Sequence, residues 1–425
     1  MSATLVSSTE EEVIVQMRVP LNGSMQERER AIRQAVNEAG NLATQKALEG
    51  FDTDGGPIEV GGERWSSKGA LPKAYQTPYG EVAIMRHVYQ RSRGGQTYCP
   101  LEHDARVVIT STPAFARLMA WKYAELRGVN AVREDLAENH ARPVAKLFVQ
   151  ELADAVASVA EAKEQVWQYA LPELPRPVAS VSAGMDGTCL LFVGGAYREA
   201  MVGTIAYYDR DGQRMHTTYA AASPQYGKAV FRTRFGRELD RARTAFAHVP
   251  LVALADGAAD NWDVLGPYAD VQTLDFYHVS EYLTRAADVL FAGRPSEREA
   301  WLDDRCHRLK HEAGYALKLL AELKKERTAT KAGRTGQAML DQTVTYFTNH
   351  HPKMTYALNL ARGLPIGSGV TEAACKVIVK ERLGGAGMKW KERGAAVVLS
   401  LRALVHSTGQ WAQFWQKIDR YGFTL

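Results

Sequence analysis

The stretch Leu171-Pro172-Glu173-Leu174-Pro175-Arg176-Pro177 constrains this chain more than any other, because each proline fixes its own φ and keeps the residue before it extended. No helix or ladder strand runs through such a segment, so it is a stiff linker and a new domain starts after it. Beyond it the apolar pattern reads as a strand from about Ala179 to Met185, then two strands around the turn Asp209-Arg210-Asp211-Gly212. A helix from about Gln225 to Ala247, a strand from Leu251 to Ala255, a short helix, a strand from Val271 to Phe276 and a further helix follow. Three strands followed by alternating helices and strands imply an α/β fold, with a mixed sheet and flanking helices. From about Pro295 to Ala361 the pattern is charged and helical with no strand signal, which reads as an all-helical insertion. The sheet domain resumes at Gly367, and a helix from about Gly394 to Phe414 closes the chain.

Upstream of the linker, Ser24 with Glu27 three residues on is a capping-box pattern before a long helix. Between Asp52 and Pro100 the texture changes to Gly-rich turns and alternating segments, which predict a small β-ribbon. Thr112-Pro113 opens a helix ending near Gly128; Asn130 caps a second from Ala131 to Asn139; Pro143 starts a third from Val144 to Ala160. That spacing suits a helix-turn-helix, with Arg142 and Lys146 near the start of a recognition helix. It suits an ordinary three-helix unit equally well. The expected organisation is therefore a helical segment (1–56), a β-ribbon module (57–110), a helix-turn-helix-like module (111–170), the sheet core (178–292), the insertion (293–363) and the end of the core with the C-terminal helix (364–425).

A chain of 425 residues, 46% hydrophobic and 24% charged, can bury two or three cores. The N-terminus runs into Glu10-Glu11-Glu12 rather than a basic, apolar leader, and no apolar run is long enough to span a bilayer. These features, with four cysteines scattered and free of any CxxC pair, predict a cytoplasmic, reducing location and no membrane partner. Cys306-His307 with His311 is the one metal-like cluster, and a charged helix face explains it better. Net charge is +4, yet Ala373 to Leu425 holds nine Lys and Arg against three Asp and Glu. Such basic parts suit phosphate contacts.

Three carboxylates carry the chemistry. Asp186 follows an apolar run, Asp256 ends Pro250-Leu251-Val252-Ala253-Leu254-Ala255-Asp256-Gly257, and Glu372 lies in Gly367-Ser368-Gly369-Val370-Thr371-Glu372-Ala373-Ala374-Cys375-Lys376. Both aspartates read as strand-end residues. Converging carboxylates suit magnesium, or manganese, in a pair of ions that serve phosphodiester chemistry. Singly, Asp-Gly is a turn dipeptide and an early helical Glu complements the dipole. Neither explains all three together.

The order Asp, Asp, then Glu beyond a helical insertion resembles the ribonuclease-H-like core of DDE transposases. The Glu372 motif, with Gly387-Met388-Lys389-Trp390, resembles more narrowly the Kra-type insertion-sequence transposases of bacteria. The resemblance implies a ribonuclease-H-like fold, two bound magnesium or manganese ions, and cleavage and strand transfer at the ends of double-stranded DNA elements by a homodimer. It implies that Asp186, Asp256 and Glu372 are the catalytic metal ligands. Asp275-Phe276-Tyr277-His278 matches a [C/D]xxH element of Mutator-like and hAT-like relatives; His278 there is expected to orient a phosphate or carboxylate with Asp275 fixing its tautomer, or else to be a satisfied histidine at a strand end. Lys376, Lys380, Lys389 and Arg393 suit DNA contact near the cleft, and Trp390 suits base stacking or, better, packing. Relatives pair cysteines in the ribbon, where this chain has Cys99 alone; Arg86, Arg91 and Arg93 are left to contact DNA. A transposase-derived DNA-binding protein without catalysis and a nuclease of the same fold are the alternatives.

Overall fold

The computed structural model describes residues 2–224 and 228–423, which form two compact units. One comprises Met1–Ala170, Ser400–Val405 and Gln410–Leu425; the other comprises Leu171–Leu399 and His406–Gly409. The division falls at the start of the proline-rich stretch.

The first unit opens with strands β1 (Ala3–Ser8) and β2 (Val13–Met17), an antiparallel pair. The 1–56 segment is therefore not wholly helical: the apolar runs Leu5-Val6 and Val13-Ile14-Val15 flank a polar turn and form a hairpin. Helix α1 (Met25–Glu49) follows with the full capping box, as Ser24 accepts from the Glu27 N–H and Glu27 accepts from the Ser24 N–H. Strands β3 (Ile58–Val60), β4 (Glu63–Gln76), β5 (Glu81–Arg91) and β6 (Thr97–Tyr98) form one antiparallel sheet in that order. A bulge between Ser67 and Ala70 uses Gly69 at φ +95°, a left-handed conformation that glycine adopts without strain.

Helices α2 (Pro100–Asp104), α3 (Pro113–Glu125), α4 (Val129–His140) and α5 (Lys146–Lys163) complete this part. The apolar stripes Phe115, Met119 and Tyr123 of α3 and Val149, Leu152 and Val156 of α5 are buried, and the two helices pack together. The third helix starts at Lys146 rather than Val144, which leaves Arg142 a full turn ahead of it. The C-terminal helix also differs from expectation. The single helix expected from about Gly394 to Phe414 is two, Glu392–His406 and Gln410–Tyr421, and the second belongs to the first unit, where Gln413 exchanges two 2.8 Å hydrogen bonds with the backbone of Ala170 and Phe414 sets its ring edge against Trp167.

The second unit holds a five-stranded mixed sheet. Its members are β7 (Ser180–Leu191), β8 (Tyr197–Tyr208), β9 (Arg214–Ala222), β10 (Leu251–Ala255) and β11 (Val271–Leu274), in the order β11-β10-β7-β8-β9. β7, β8 and β9 are antiparallel neighbours, whereas β10 runs parallel to both β7 and β11. Helix α6 (Ala229–Ala245) covers one face through Phe231, Phe235 and Leu239, which pack on Val181, Ala183, Met185, Ala253 and Ala255. The expected start of that helix at Gln225 lies outside the described residues.

Helix α7 (Ala259–Leu265) links β10 towards β11, and α8 (Phe276–Leu290) leaves β11. The helical block consists of α9 (Pro295–His311), α10 (Tyr315–Ala329), α11 (Arg334–His350) and α12 (Tyr356–Ala361), within the bounds the sequence predicted. It is not detached: Leu319, Leu320, Leu340 and Phe347 share a core with Leu274, Val279 and Leu283 at the end of the sheet. The chain then forms α13 (Gly369–Ala374), a π-helical turn (Cys375–Lys380), α14 (Glu381–Leu383) and α15 (Glu392–His406), with α16 (Gln410–Tyr421) in the first unit.

Candidate metal centre

Strand register brings the acidic residues together. Gly184 of β7 lies opposite Leu254 of β10, and Ala255 lies opposite Leu274 of β11. Counting on, Asp186, Asp256 and Asp275 occupy one row across three neighbouring parallel strands. Side chains alternate between faces. Since Ala183, Met185, Ala253 and Ala255 point into the α6 core, Asp186 and Asp256 belong to the opposite face.

The helix of Glu372 lies on that opposite face. A Cβ on Gly184 would strike the hydroxyl of Thr371, so only glycine lets α13 approach β7 this closely. Thr371 and Thr204, both buried, share a 2.7 Å hydrogen bond that fixes the helix on the sheet. The π-helical turn that follows widens the helix directly after the motif. Lys376 and Lys380 are exposed, but the wider turn breaks the 3.6-residue spacing that would align both with Glu372.

Each carboxylate is held by its own neighbours. Asp186 lies inside β7 rather than at its end, at the point where parallel pairing with β10 stops and only β8 continues alongside. Its Oδ1 accepts the Gly187 N–H at 2.7 Å, and the Cys375 thiol donates to Oδ2 at 3.7 Å. Burial and the Asp186 charge push that thiol up to about 12. Asp256, directly after β10 as expected, accepts at Oδ1 from the Ala258 N–H and the Asn261 amide, both 3.0 Å. Its carbonyl accepts the Tyr346 hydroxyl at 2.9 Å, so the helical block grips the strand end directly. Burial first, then Tyr282 and the charges of Asp256 and Asp275, raise the ionisation of Tyr346 and keep it a donor.

Asp275 is fully buried and is the N-cap of α8. Its carboxylate accepts the N–H groups of Tyr277 and His278, each at 3.3 Å, and that of Ser368 at 2.8 Å. Ser368 in turn donates its hydroxyl to Oε1 of Glu372 at 3.1 Å. One buried aspartate thus joins the end of β11 to the turn that carries the third carboxylate. Ligand atoms of Asp275, His278 and Glu372 all lie within 4.8 Å of one another, close enough to hold a metal ion.

Among the described residues this is the one such group, and Asp186 and Asp256 are not in it. Asp186, Asp256 and Glu372, expected to converge across one cleft and share two ions, thus do not form a cluster tight enough to surround a single ion. Ser368 draws Glu372 towards Asp275, while Gly187 and Asn261 hold the other two carboxylates. Cys306, His307 and His311 form no comparable group, although the two imidazole rings lie 4.5 Å apart.

The proposed DNA contacts divide. Lys146, Lys376, Lys380, Lys389 and Arg393 are exposed. Arg142 is not available: it is 6% exposed, donates to the Thr77 carbonyl and the Gln76 side chain, and stacks over Phe115. It fastens the β-ribbon to the helices. In the ribbon, Arg86 binds Tyr75 and Glu102, while Arg91 and Arg93 both pair with Glu63. Trp390 takes the packing role, donating its indole N–H to the Leu383 carbonyl and bridging Phe192 through backbone bonds.

Sequence reasoning missed Asn261, Tyr346 and Thr371. Each acts across distant segments, and no local pattern marks it. A pocket of about 480 Å³ beside the Gly367–Gly369 turn is bordered by Arg214 and Lys310, two cations that suit an anionic ligand. No protein-family model matches the chain, and no curated protein matches it. No helix among the described residues is long and apolar enough to cross a membrane.

Proposed function

We propose that the second unit is a ribonuclease-H-like core and that the protein is a DDE transposase of the bacterial Kra type, acting on double-stranded DNA. One observation carries the proposal: Asp186 and Asp256 share a row and a face on neighbouring parallel strands, and the helix of Glu372 is laid on the strand of Asp186. The sheet order, with the central strand bearing Asp186, agrees with that core.

The residues fit hard divalent cations. They offer carboxylate oxygens, and among the described residues Oδ2 of Asp256 and Oε2 of Glu372 accept no hydrogen bond. Two magnesium or manganese ions bound there would supply an activated attacking oxygen and a stabilised leaving oxygen. Asp186 and Asp256 are the rigid ligands, mounted on a paired sheet. Glu372 is the adjustable one, steered by Ser368 from the buried Asp275. His278, half-buried at the start of α8, stands within reach of Glu372 and can hold a proton or a phosphate oxygen. Exposed Lys376, Lys380 and Lys389 attract the DNA backbone to an acidic cleft that would otherwise repel it.

A second reading takes its support from the compactness of Asp275, His278 and Glu372: a cation bound there first, with Asp186 and Asp256 recruited as DNA enters. A strand-transfer assay with the element's own ends and Mg2+ tests the proposal. Joined products support a transposase; cleavage of RNA–DNA hybrids without joining would assign a nuclease, and neither would leave only DNA binding.

A further inference from the structure

Large apolar side chains are exposed unevenly. Of the twenty-four that stand exposed among the described residues, eight fall between Leu5 and Val36: Leu5, Val6, Ile14, Met17, Leu21, Met25, Ile32 and Val36. Single exposed apolar residues need no explanation, but a cluster of this density does. In α1 three of them, Met25, Ile32 and Val36, lie with Glu29 and the half-buried Ala39 and Ala43 at alternating steps of four and three, the spacing of a coiled-coil seam, so these six share one side of a 25-residue helix with Glu29 as its one charged member.

The hairpin does not cover that seam. It sits on the adjacent side of α1, where Ala35 is fully buried and Glu38 accepts the N–H groups of Ser2 and Ala3. β1 and β2 form a sheet of two strands, so both outer edges keep unpaired N–H and C=O groups. Among the described residues Glu10, Glu11 and Glu12 at the hairpin turn enter no ion pair. Arg28 and Arg33, which flank the seam, hold only the carbonyls of Gly23 and Glu138.

We propose that β1, β2 and the first half of α1 form the surface through which two copies of this chain pair. A two-fold interface must be self-complementary, and this surface carries an apolar seam, open strand edges and both signs of unpaired charge. Parallel seams would set Arg28 and Arg33 against their own copies, so the charge pattern favours the partner's acidic turn lying against them instead. Most residues from Thr4 to Val36 are exposed, which matches the roughly 20–30 residues a side of a standard interface.

Sedimentation equilibrium of the full chain tests this. The unaltered protein should be a dimer at micromolar concentration, and Ile32→Lys with Val36→Lys should weaken association at least tenfold. Both side chains are exposed, so the circular dichroism melt should stay in place. Glu11→Arg with Glu12→Arg should also weaken pairing, and adding Arg28→Glu with Arg33→Glu should restore it. A monomer at every concentration overturns the proposal and assigns the surface to a different protein. A dimer that both sets of variants leave intact overturns it as well.

Discussion

Replacing Asp275 is the most informative perturbation of the second unit, because its carboxylate is fully buried and accepts three backbone N–H groups. In Asp275→Ala, α8 loses its N-cap, at about 0.5–2 kcal/mol, and the buried Ser368 N–H loses its acceptor, at about 1–3 kcal/mol. Together these come to about 1.5–5 kcal/mol. For a unit of this size, that lowers the melting temperature by roughly 3–20 °C. Asp275→Asn keeps one acceptor oxygen but turns an amide N–H2 towards a donor, so about half the loss should remain. Differential scanning calorimetry resolves the transitions of the two units, and only that of the second should move. Asp275→Ala with an unshifted melt would refute the clamp, and so would a fall confined to the first unit.

Further outcomes follow from the same geometry. Gly184→Ala should lift α13 off β7, because its Cβ would strike Thr371; soluble protein with a lowered melt and reduced metal-dependent activity is expected, and unchanged behaviour would contradict the close approach. Alkylation at pH 8 should modify exposed Cys189 and spare Cys375, whose thiol stays protonated up to about 12, as peptide mapping would show. Because folding raises that thiol, the native state holds its proton more tightly, and stability should fall as pH climbs from the ordinary thiol range towards 12. His350 has the opposite sign: burial and Lys353 lower it, against Asp256, so stability should drop as pH falls below the usual imidazole range, and His350→Gln should flatten that limb of the melting curve. Arg142→Ala should destabilise the first unit by about 2–4 kcal/mol, since it leaves buried acceptors unpaired and removes packing on Phe115; loss of DNA affinity without loss of stability would contradict its internal role.

Much of the fold was legible because its signals are local. Prolines at 172, 175 and 177 marked the division, the Ser24 and Glu27 box marked α1, and the helices of the block fall within the expected span of about Pro295 to Ala361. What escaped depends on distance. The C-terminal helix closes on Trp167 and Ala170, more than two hundred residues away, so a fragment ending near Leu171 lacks α16 and exposes that contact. Arg142 reads as a recognition-helix cation from its position beside Pro143, yet the Gln76 and Thr77 oxygens capture it. For the site, the sequence identified Asp186, Asp256, Asp275 and Glu372 as residues of interest. Which of them touch is set by strand register and by Ser368, neither of which a one-dimensional pattern contains.

The proposed chemistry rests on Asp186, Asp256 and Glu372 acting together on DNA. The most direct measurement is cleavage of a supercoiled plasmid carrying the element's two ends, with and without Mg2+, by the unaltered protein and by Asp186→Asn, Asp256→Asn and Glu372→Gln, with end binding followed by gel shift. Cleavage is expected only with the cation, with a loss of roughly a hundredfold or more in each variant and undiminished end binding. Cleavage that needs no divalent ion, or that survives in Asp186→Asn or Asp256→Asn, would contradict that chemistry.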